Sequence, residues 1–132
     1  GRILPDEETL VRVHEPLSVI DFLDDVGSAH SWNVHQAMKT IAEAPCGVML
    51  LFRRPESGEA VLSRFDPAAP RAAAKVDLRD YGIGAQILKD LNVRKMRLLS
   101  APRKMPSLEG FGLEVTGYIL PTDVVASNKL EE

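Results

Sequence analysis

An aspartate and an arginine stand two residues apart, at Asp77 and Arg79, just before an apolar segment. If the segment before the predicted helix is extended, side chains two residues apart project to the same side, so the carboxylate can orient the guanidinium. An arginine held in this way can bind a phosphate through two parallel N–H groups. A surface ion pair combined with helix capping would use the same two residues, and the spacing alone favours that simpler interpretation.

Cationic residues follow two of the apolar segments that the sequence predicts to be strands. Ser100 to Lys104 (SAPRK) combine a hydroxyl, a proline turn and two cations, and Arg53 with Arg54 follows the run GVMLLF. Such residues suit a phosphate or the polar edge of a ring, although solvated basic residues in loops are the commoner outcome. Because two strand ends carry them, we predict that Arg53, Ser100 and Lys104 contact a phosphorylated small molecule.

The histidines and the cysteine do not form a recognisable metal motif. His30 and His35 are five residues apart, which misses the spacing of three or four that places two ligands on one helical face. Cys46 is the only cysteine, so no internal disulfide is possible and a zinc site would need mostly His, Asp and Glu ligands. We therefore predict no metal site from spacing, and we predict Cys46 to be a small core residue.

The bulk composition is that of a globular domain. The 132 residues suffice for one core, and the apolar fraction of 45% and the charged fraction of 27% are ordinary. A net charge of −3 argues against a nucleic-acid partner, which needs a concentrated basic face. No membrane segment or signal peptide is recognisable, so we expect a cytoplasmic protein without a membrane partner. The start at Gly1 suggests a domain cut from a longer polypeptide.

Hydrophobic periodicity and turn residues then divide the chain into alternating strands and helices. Apolar residues at helical spacing from Val34 to Ile41 predict a helix that a serine or asparagine caps and that Pro45 ends. Ile83, Ile87, Leu88 and Leu91 predict a second long helix, capped by Asp80 and ended near Asn92. The other predicted elements are strands over 9–14, 47–52, 95–100 and 113–120 and a short helix over 59–65.

This alternation predicts an α/β fold with a mixed or mostly parallel sheet flanked by helices. The run GVMLLF, being continuously apolar, is predicted to be a strand covered on both faces. We expect a single domain over residues 1–122 and a flexible C-terminal tail over 123–132. Chemistry in such folds gathers in the loops at the carboxyl ends of the strands, which selects the regions after His14, Phe52 and Leu99.

The stretch from Val76 to Leu99, followed by LEGFGLEV at Leu108 to Val115, closely resembles the carboxyl part of GTP cyclohydrolase II. The resemblance extends upstream through LVRVH at Leu10 to His14 and through QAMKTIAEAPCGVMLLFR at Gln36 to Arg53. It therefore covers most of the chain. The resemblance implies a family that opens the guanine ring of GTP with a zinc-bound water and releases formate and pyrophosphate at the start of riboflavin synthesis.

The family's zinc ligands, three cysteines after the first strand, are not retained. Counted forward from His14, their positions fall on Leu17, Ser28 and His30. An aliphatic side chain cannot bind zinc, a neutral serine is a poor ligand, and only His30 is a plausible donor. The resemblance thus implies a family whose active members use zinc and magnesium, whereas for this chain we expect no cofactor.

The rest of the family's site is partly retained. Asp77 and Arg79 resemble the family's base and its phosphate-attacking arginine, and Ser100 and Lys104 resemble its nucleotide-contacting threonine and lysine. The family's Gln-Glu-Gly-Arg element aligns with the turn RRPESG, where the expected glutamate and arginine are not in register. The short segment DPAAPRAAA stands in place of the family's tyrosine-bearing helix and loop. The catalytic pair Asp77 and Arg79 is therefore expected to be vestigial.

This combination is similar to the carboxyl domain of bifunctional riboflavin proteins in which a 3,4-dihydroxy-2-butanone 4-phosphate synthase precedes a degenerate cyclohydrolase-like domain. The resemblance implies a pseudoenzyme, that is, a homodimerising or regulatory module that does not open the guanine ring with zinc. Its expected partner is a fused or separate synthase. Its expected ligand is GTP or another phosphorylated compound. An active cyclohydrolase with an altered metal site is the alternative. A purely structural appendage is a third possibility.

Overall fold

The computed structural model describes residues 1–14, 32–52, 55, 57–63, 65–68, 78–102, 108 and 110–124, with the backbone alone for 78–81. The elements follow in the order β1 (Glu8–His14), α1 (Val34–Glu43), β2 (Gly47–Leu51), α2 (Gly58–Ser63), α3 (Leu78–Asp90), β3 (Lys95–Leu99) and β4 (Glu114–Ile119). Every predicted strand and helix is present, and its ends lie within a few residues of the predicted ones.

The four strands form one sheet in the order β2-β1-β3-β4. All three strand pairs are parallel, and the ladder between β3 and β4 carries an irregularity between Met96 and Arg97. Parallel neighbours need crossover connections, and α1 and α3 supply two of them. The predicted α/β class is confirmed, and the sheet formed by the described strands is entirely parallel rather than mixed.

Strand β1 lies in the middle of the sheet, and both of its faces are covered. Val11 and Val13 pack in the core cluster that contains Leu88 of α3. Leu10, two residues before Arg12 on the alternate face, packs in a second cluster around Trp32. Helices α1 and α3 therefore cover opposite faces of the sheet, and the polar side chains of Thr9 and Arg12, on opposite faces of β1, are both buried.

Strand β2 lies at an edge of the sheet, and its two faces are covered only in part. Only Leu50 of this strand is buried, whereas Leu51 is exposed. Its continuous apolar run reflects partial packing on both sides, since Val48 and Leu50 pack towards α3 and Met49 packs towards α1. A short apolar run thus did not distinguish an edge strand from a central one.

Helix α1 begins as predicted, with an asparagine cap. The side chain of Asn33 accepts hydrogen bonds from the backbone N–H groups of His35, at 2.8 Å, and Gln36, at 3.3 Å. These bonds satisfy donors that have no partner within the first turn of a helix. Val34 and Ala37 form its buried face, whereas Met38, predicted to lie on the apolar face, is exposed.

Helix α3 starts earlier than predicted, because it begins at Leu78 and so contains Asp80 within its first turn rather than as a cap. Its C-terminal end agrees with the prediction. Asn92 adopts a φ of 71°, and the N–H of Val93 donates to the carbonyl of Leu88 at 2.9 Å. This is the left-handed helix end that asparagine and glycine favour.

Of the four apolar residues predicted to form the stripe of α3, only Leu88 is buried. Gly84, Ala85 and Leu88 face the sheet, whereas Ile83, Ile87 and Leu91 are exposed. A Cβ on Gly84 would lie 3.3 Å from Cζ of Phe52, so the helix backbone approaches the sheet closely at this point. Small residues allow that approach, which a search for large apolar side chains could not detect.

A close contact between α1 and the start of β2 gives a first testable prediction. A Cβ on Gly47 would lie 2.6 Å from Cγ2 of Ile41 and 3.1 Å from the Leu10 carbonyl oxygen. Gly47→Ala should therefore lower the free energy of unfolding by about 1–3 kcal/mol through overpacking. Gly82→Ala is the control: its Cβ would meet no described atom within 4 Å, so the helix should gain about 0.5–1 kcal/mol.

Urea denaturation followed by circular dichroism measures both changes. Two variants that were equally stable would contradict the packing of α1 against Gly47.

The last described residues extend slightly past the predicted domain boundary. Residues 121–124 form one helical turn, in which the N–H of Leu120 donates to Oδ2 of Asp123 at 2.9 Å. Val124 packs against the cluster around Trp32. The remainder of the predicted tail lies outside the described residues.

Candidate active site at the carboxyl edge of the sheet

The connections leave the sheet in opposite directions between β1 and β3. The connection from β1 passes through α1 on the face of Trp32, whereas β3 is reached through α3 on the face of Leu88. Strand order 2-1-3-4 therefore has its topological switch point between β1 and β3. Open parallel sheets bind ligands in the crevice outside the carboxyl ends of the strands at this point.

The two strands also part there. The ladder between β1 and β3 ends at the pair Val11 and Leu98, whereas β1 stays paired with β2 as far as His14 and Leu51. The N–H of Phe52 then donates to the His14 carbonyl at 2.9 Å. Among the described strands, the last three residues of β1 thus pair with β2 alone, and the crevice expected at a switch point lies on their other side.

The side chain of Arg12 spans this crevice. Its Nη1 donates to the carbonyl oxygen of Leu99 at 2.7 Å, one residue beyond the last backbone pair of β1 and β3. Arg12 is only 6% exposed, so its guanidinium is held inside the protein. A buried guanidinium must have its N–H groups hydrogen-bonded, and here a strand carbonyl supplies one of the acceptors.

His14 lies beside Arg12 on the same face of β1 and is completely buried. Its Nδ1 is 3.1 Å from Nη2 and 3.3 Å from Nε of Arg12. Because residues two apart in a strand share a face, the two side chains meet without any distortion of the strand. Arg12 and His14 together form the floor of the crevice at the switch point.

The sequence pattern predicted chemistry in the loops after His14, Phe52 and Leu99, and it did not single out Arg12. Arg12 is a polar residue in a segment where apolar and polar residues alternate, and this pattern is typical of a strand with one solvated face. The signal that could have found it is positional: an arginine near the carboxyl end of a central strand is buried and therefore bonded. Recognising it requires the strand order, which the periodicity does not contain.

Ser100 is the predicted ligand-contacting residue whose side chain the structure describes. It follows β3 directly and is half-buried at the edge of the crevice, next to Leu99. Its hydroxyl donates to the carbonyl of Ala101 at 2.9 Å. The hydroxyl proton of Ser100 is therefore used in this bond, and its oxygen can still accept a hydrogen bond.

The other predicted site residues are described in part or not at all. Arg79 lies in the first turn of α3, which corrects the expectation that it stands in an extended lead-in, and its side chain is not described. Asp77, Arg53 and Lys104 lie outside the described residues. The grouping of these four side chains with Ser100 accordingly stays a prediction.

Leu17, Ser28 and His30, which the resemblance aligns with the family's zinc ligands, also lie outside the described residues. Among the residues that are described, no three His, Cys, Asp or Glu side chains converge in a way that could hold a metal ion. Cys46 is buried, with Sγ 3.6 Å from the Glu8 carbonyl oxygen and 3.7 Å from the Thr9 hydroxyl oxygen. It is a small core residue, as predicted.

Trp32 closes the α1 face of the sheet near the ends of β3 and β4. It is 1% exposed and packs with Ala37 and Leu99, and its Nε1 donates to the carbonyl oxygen of Ile119 at 2.9 Å. The chain entering α1 is thereby fixed over the last residue of β4. The sequence analysis did not single out this residue.

No helix in the described parts of the chain is long and apolar enough to cross a membrane.

Comparison with known proteins agrees with the resemblance noted in the sequence. The chain is 49% identical over 118 residues to a 3,4-dihydroxy-2-butanone 4-phosphate synthase of Neisseria meningitidis serogroup B, covering 89% of this chain and 32% of that protein. It is 40% identical over 123 residues to the synthase of the same name from Pseudomonas aeruginosa, covering 90% and 33%.

A third relative is the riboflavin biosynthesis protein RibBA of Chlorobium phaeovibrioides, 36% identical over 128 residues, covering 87% of this chain and 31% of that protein. The chain thus spans about a third of the length of the curated relatives that it matches. The family model for GTP cyclohydrolase II matches residues 1–120, nearly the whole chain. This chain therefore belongs to the GTP cyclohydrolase II family.

Proposed function

We propose that this chain is a cyclohydrolase-like domain of riboflavin biosynthesis that no longer opens the guanine ring with zinc. In this role it serves as a dimerising or regulatory module for a 3,4-dihydroxy-2-butanone 4-phosphate synthase, fused to it or bound as a partner. The names of the relatives and the share of their length that the chain matches support the association with that synthase.

The donor set at the family's zinc positions carries this proposal. Leu17 has no donor atom, the neutral hydroxyl of Ser28 is a poor zinc ligand, and His30 supplies one nitrogen. A catalytic zinc site needs three protein ligands and one open position. The residues present do not fit the metal, so we derive no reaction step through it.

Metal analysis of the intact protein tests the proposal, together with an assay for formate released from GTP. We expect neither stoichiometric zinc nor formate. The matched variant carries Leu17→Cys, Ser28→Cys and His30→Cys, which restores three thiolate ligands; it should acquire zinc, because thiolates bind this ion far more strongly than the present side chains do. Stoichiometric zinc in the natural chain together with formate release would refute the proposal.

A second candidate is an active cyclohydrolase, with a rebuilt metal site or with a metal-free activity on a related nucleotide. The retained pair Asp77 and Arg79 favours it, because both residue types stand where the family has its base and its attacking arginine. This candidate requires turnover of a guanine nucleotide that Arg79→Ala abolishes while the circular dichroism spectrum is unchanged. Absence of turnover with every guanine nucleotide would exclude it.

A regulatory module and a structural appendage differ in whether the domain binds a ligand. The crevice between β1 and β3, with Arg12 at its floor and Ser100 at its edge, favours retained binding of GTP or another phosphorylated compound. Titration calorimetry with GTP distinguishes them. Binding that is lost in Ser100→Ala and Lys104→Ala variants supports a regulatory site, whereas no heat of binding supports an appendage.

A further inference from the structure

The contact between Arg12 and His14 determines the chemical form of the histidine. Arginine carries five N–H donors and no acceptor, and it keeps its charge in proteins. Two of its nitrogens approach the same atom, Nδ1 of His14, at 3.1 Å and 3.3 Å. An atom that faces donors from arginine must offer a lone pair, so Nδ1 of His14 carries no proton.

We propose that Arg12 is a positioning residue that fixes His14 as the neutral imidazole with its single proton on Nε2. The hydrogen bond made by one ring nitrogen of a neutral histidine determines whether the proton lies on that nitrogen or on the other one. Because an imidazolium would place an N–H on Nδ1 directly against two N–H groups of Arg12, the charged form of His14 is opposed as well. The inference concerns the crevice itself and holds whether or not the domain turns over GTP.

Arg12 can impose this form only if the guanidinium itself is fixed. The bond from Nη1 to the carbonyl of Leu99, at 2.7 Å, holds the far side of the guanidinium at the end of β3. Strand β1 holds the near side, since its pairing with β2 continues through His14. The planar guanidinium therefore has one orientation, in which Nε and Nη2 face His14.

The consequence is a change in what His14 can do. With its lone pair at Nδ1 engaged by Arg12, His14 cannot accept a proton there as a general base, nor bind a metal ion through that nitrogen. Its other nitrogen carries the hydrogen and can only donate. At the switch point His14 is thus a fixed hydrogen-bond donor, suited to an oxygen or nitrogen acceptor and not to acid–base or metal chemistry.

Two substitutions of Arg12 separate this role from simple filling of space. Arg12→Lys keeps a positive group that only donates, so His14 should remain protonated on Nε2. Arg12→Gln presents an amide that can either donate or accept, so it can also pair with a protonated Nδ1. A residue with a purely structural role would give the same histidine form in both variants.

The test is ¹⁵N NMR of the intact protein labelled only in its histidines, in which His30→Gln and His35→Gln variants identify the other two signals of this sequence. In the natural chain we expect a one-bond proton coupling on Nε2 of His14 alone, with Nδ1 shifted as an unprotonated nitrogen. Arg12→Lys should keep this pattern, and Arg12→Gln should shift Nδ1 towards the protonated value.

A natural chain in which His14 is protonated on Nδ1, or on both nitrogens, would overturn the inference without recourse to any variant. A folded Arg12→Lys protein in which Nδ1 of His14 carries a proton would overturn the assignment of the positioning role to Arg12. If Arg12→Gln does not fold, the spectrum of the natural chain alone decides the outcome.

Discussion

Replacing Trp32 with alanine should lower the free energy of unfolding by about 3–5 kcal/mol, the usual cost of removing a buried aromatic side chain. The indole is 1% exposed and fills the cluster with Ala37 and Leu99 beneath α1. Its removal leaves a cavity that the sheet backbone cannot close. Because Trp32 is the only tryptophan of the chain, unfolding should be followed by circular dichroism rather than by fluorescence.

Trp32→Phe isolates the hydrogen bond from the packing. Phenylalanine keeps an aromatic ring but leaves the carbonyl oxygen of Ile119 without the indole N–H, which costs about 1–3 kcal/mol for a buried group. Leu62→Ala is the control, since Leu62 is 70% exposed and should change stability by no more than about 0.5 kcal/mol. If Trp32→Ala cost no more than Leu62→Ala, the anchoring of the α1 face described above would be wrong.

Leu88→Ala is expected to lower the free energy of unfolding by about 2–5 kcal/mol, whereas Ile87→Ala should cost well under half of that. The two residues are neighbours on α3, yet Leu88 is 1% exposed in the larger core cluster and Ile87 is 39% exposed. Both substitutions remove a four-carbon side chain in favour of alanine. The difference between them therefore reports mainly burial, since leucine and isoleucine differ in helix propensity by only about a few tenths of a kcal/mol.

Urea denaturation of both variants in parallel measures this difference. Equal losses would mean that the apolar stripe Ile83, Ile87 and Leu91 is covered in solution, and that α3 buries a second face.

The sequence predicted elements well where a local signal existed. The cap at Asn33 and the helix end at Asn92 follow from hydrogen bonds within a few residues, and both are present. The alternation of strands and helices predicted the α/β class because parallel strands require crossovers. The family resemblance added expected roles for Asp77 and Arg79, and those roles stay predictions.

The errors arose where the answer depends on residues far apart in the chain. The exposure of Ile83 and Ile87 follows from the close approach of Gly84 to Phe52, a contact across the fold. The position of β2 at an edge is a property of the strand order and not of its composition. The burial of Arg12 in turn depends on β1 lying in the middle of the sheet.

The candidate site could be predicted only in outline. Ser100 directly follows β3, and its contact with a ligand stays a prediction, whereas Arg12 and His14 were not predicted to act together. Polar residues two apart in a strand are common. What distinguishes this pair is the hydrogen bond from Arg12 to the carbonyl oxygen of Leu99 on β3, which holds the guanidinium in place. Local sequence patterns contain no information about that contact.

The early separation of β1 from β3 has a consequence for how such a domain can change over time. The backbone ladder that unites these strands is complete at Val11 and Leu98, whereas the crevice is built from side chains beyond that point. Substitutions of exposed side chains there can alter ligand binding at little cost to the sheet, whereas exchange of the buried Arg12 would remove the donor to the Leu99 carbonyl oxygen. The fold and the reaction can therefore be lost or kept separately, and a descendant without the ancestral chemistry can remain a well-folded partner for another protein.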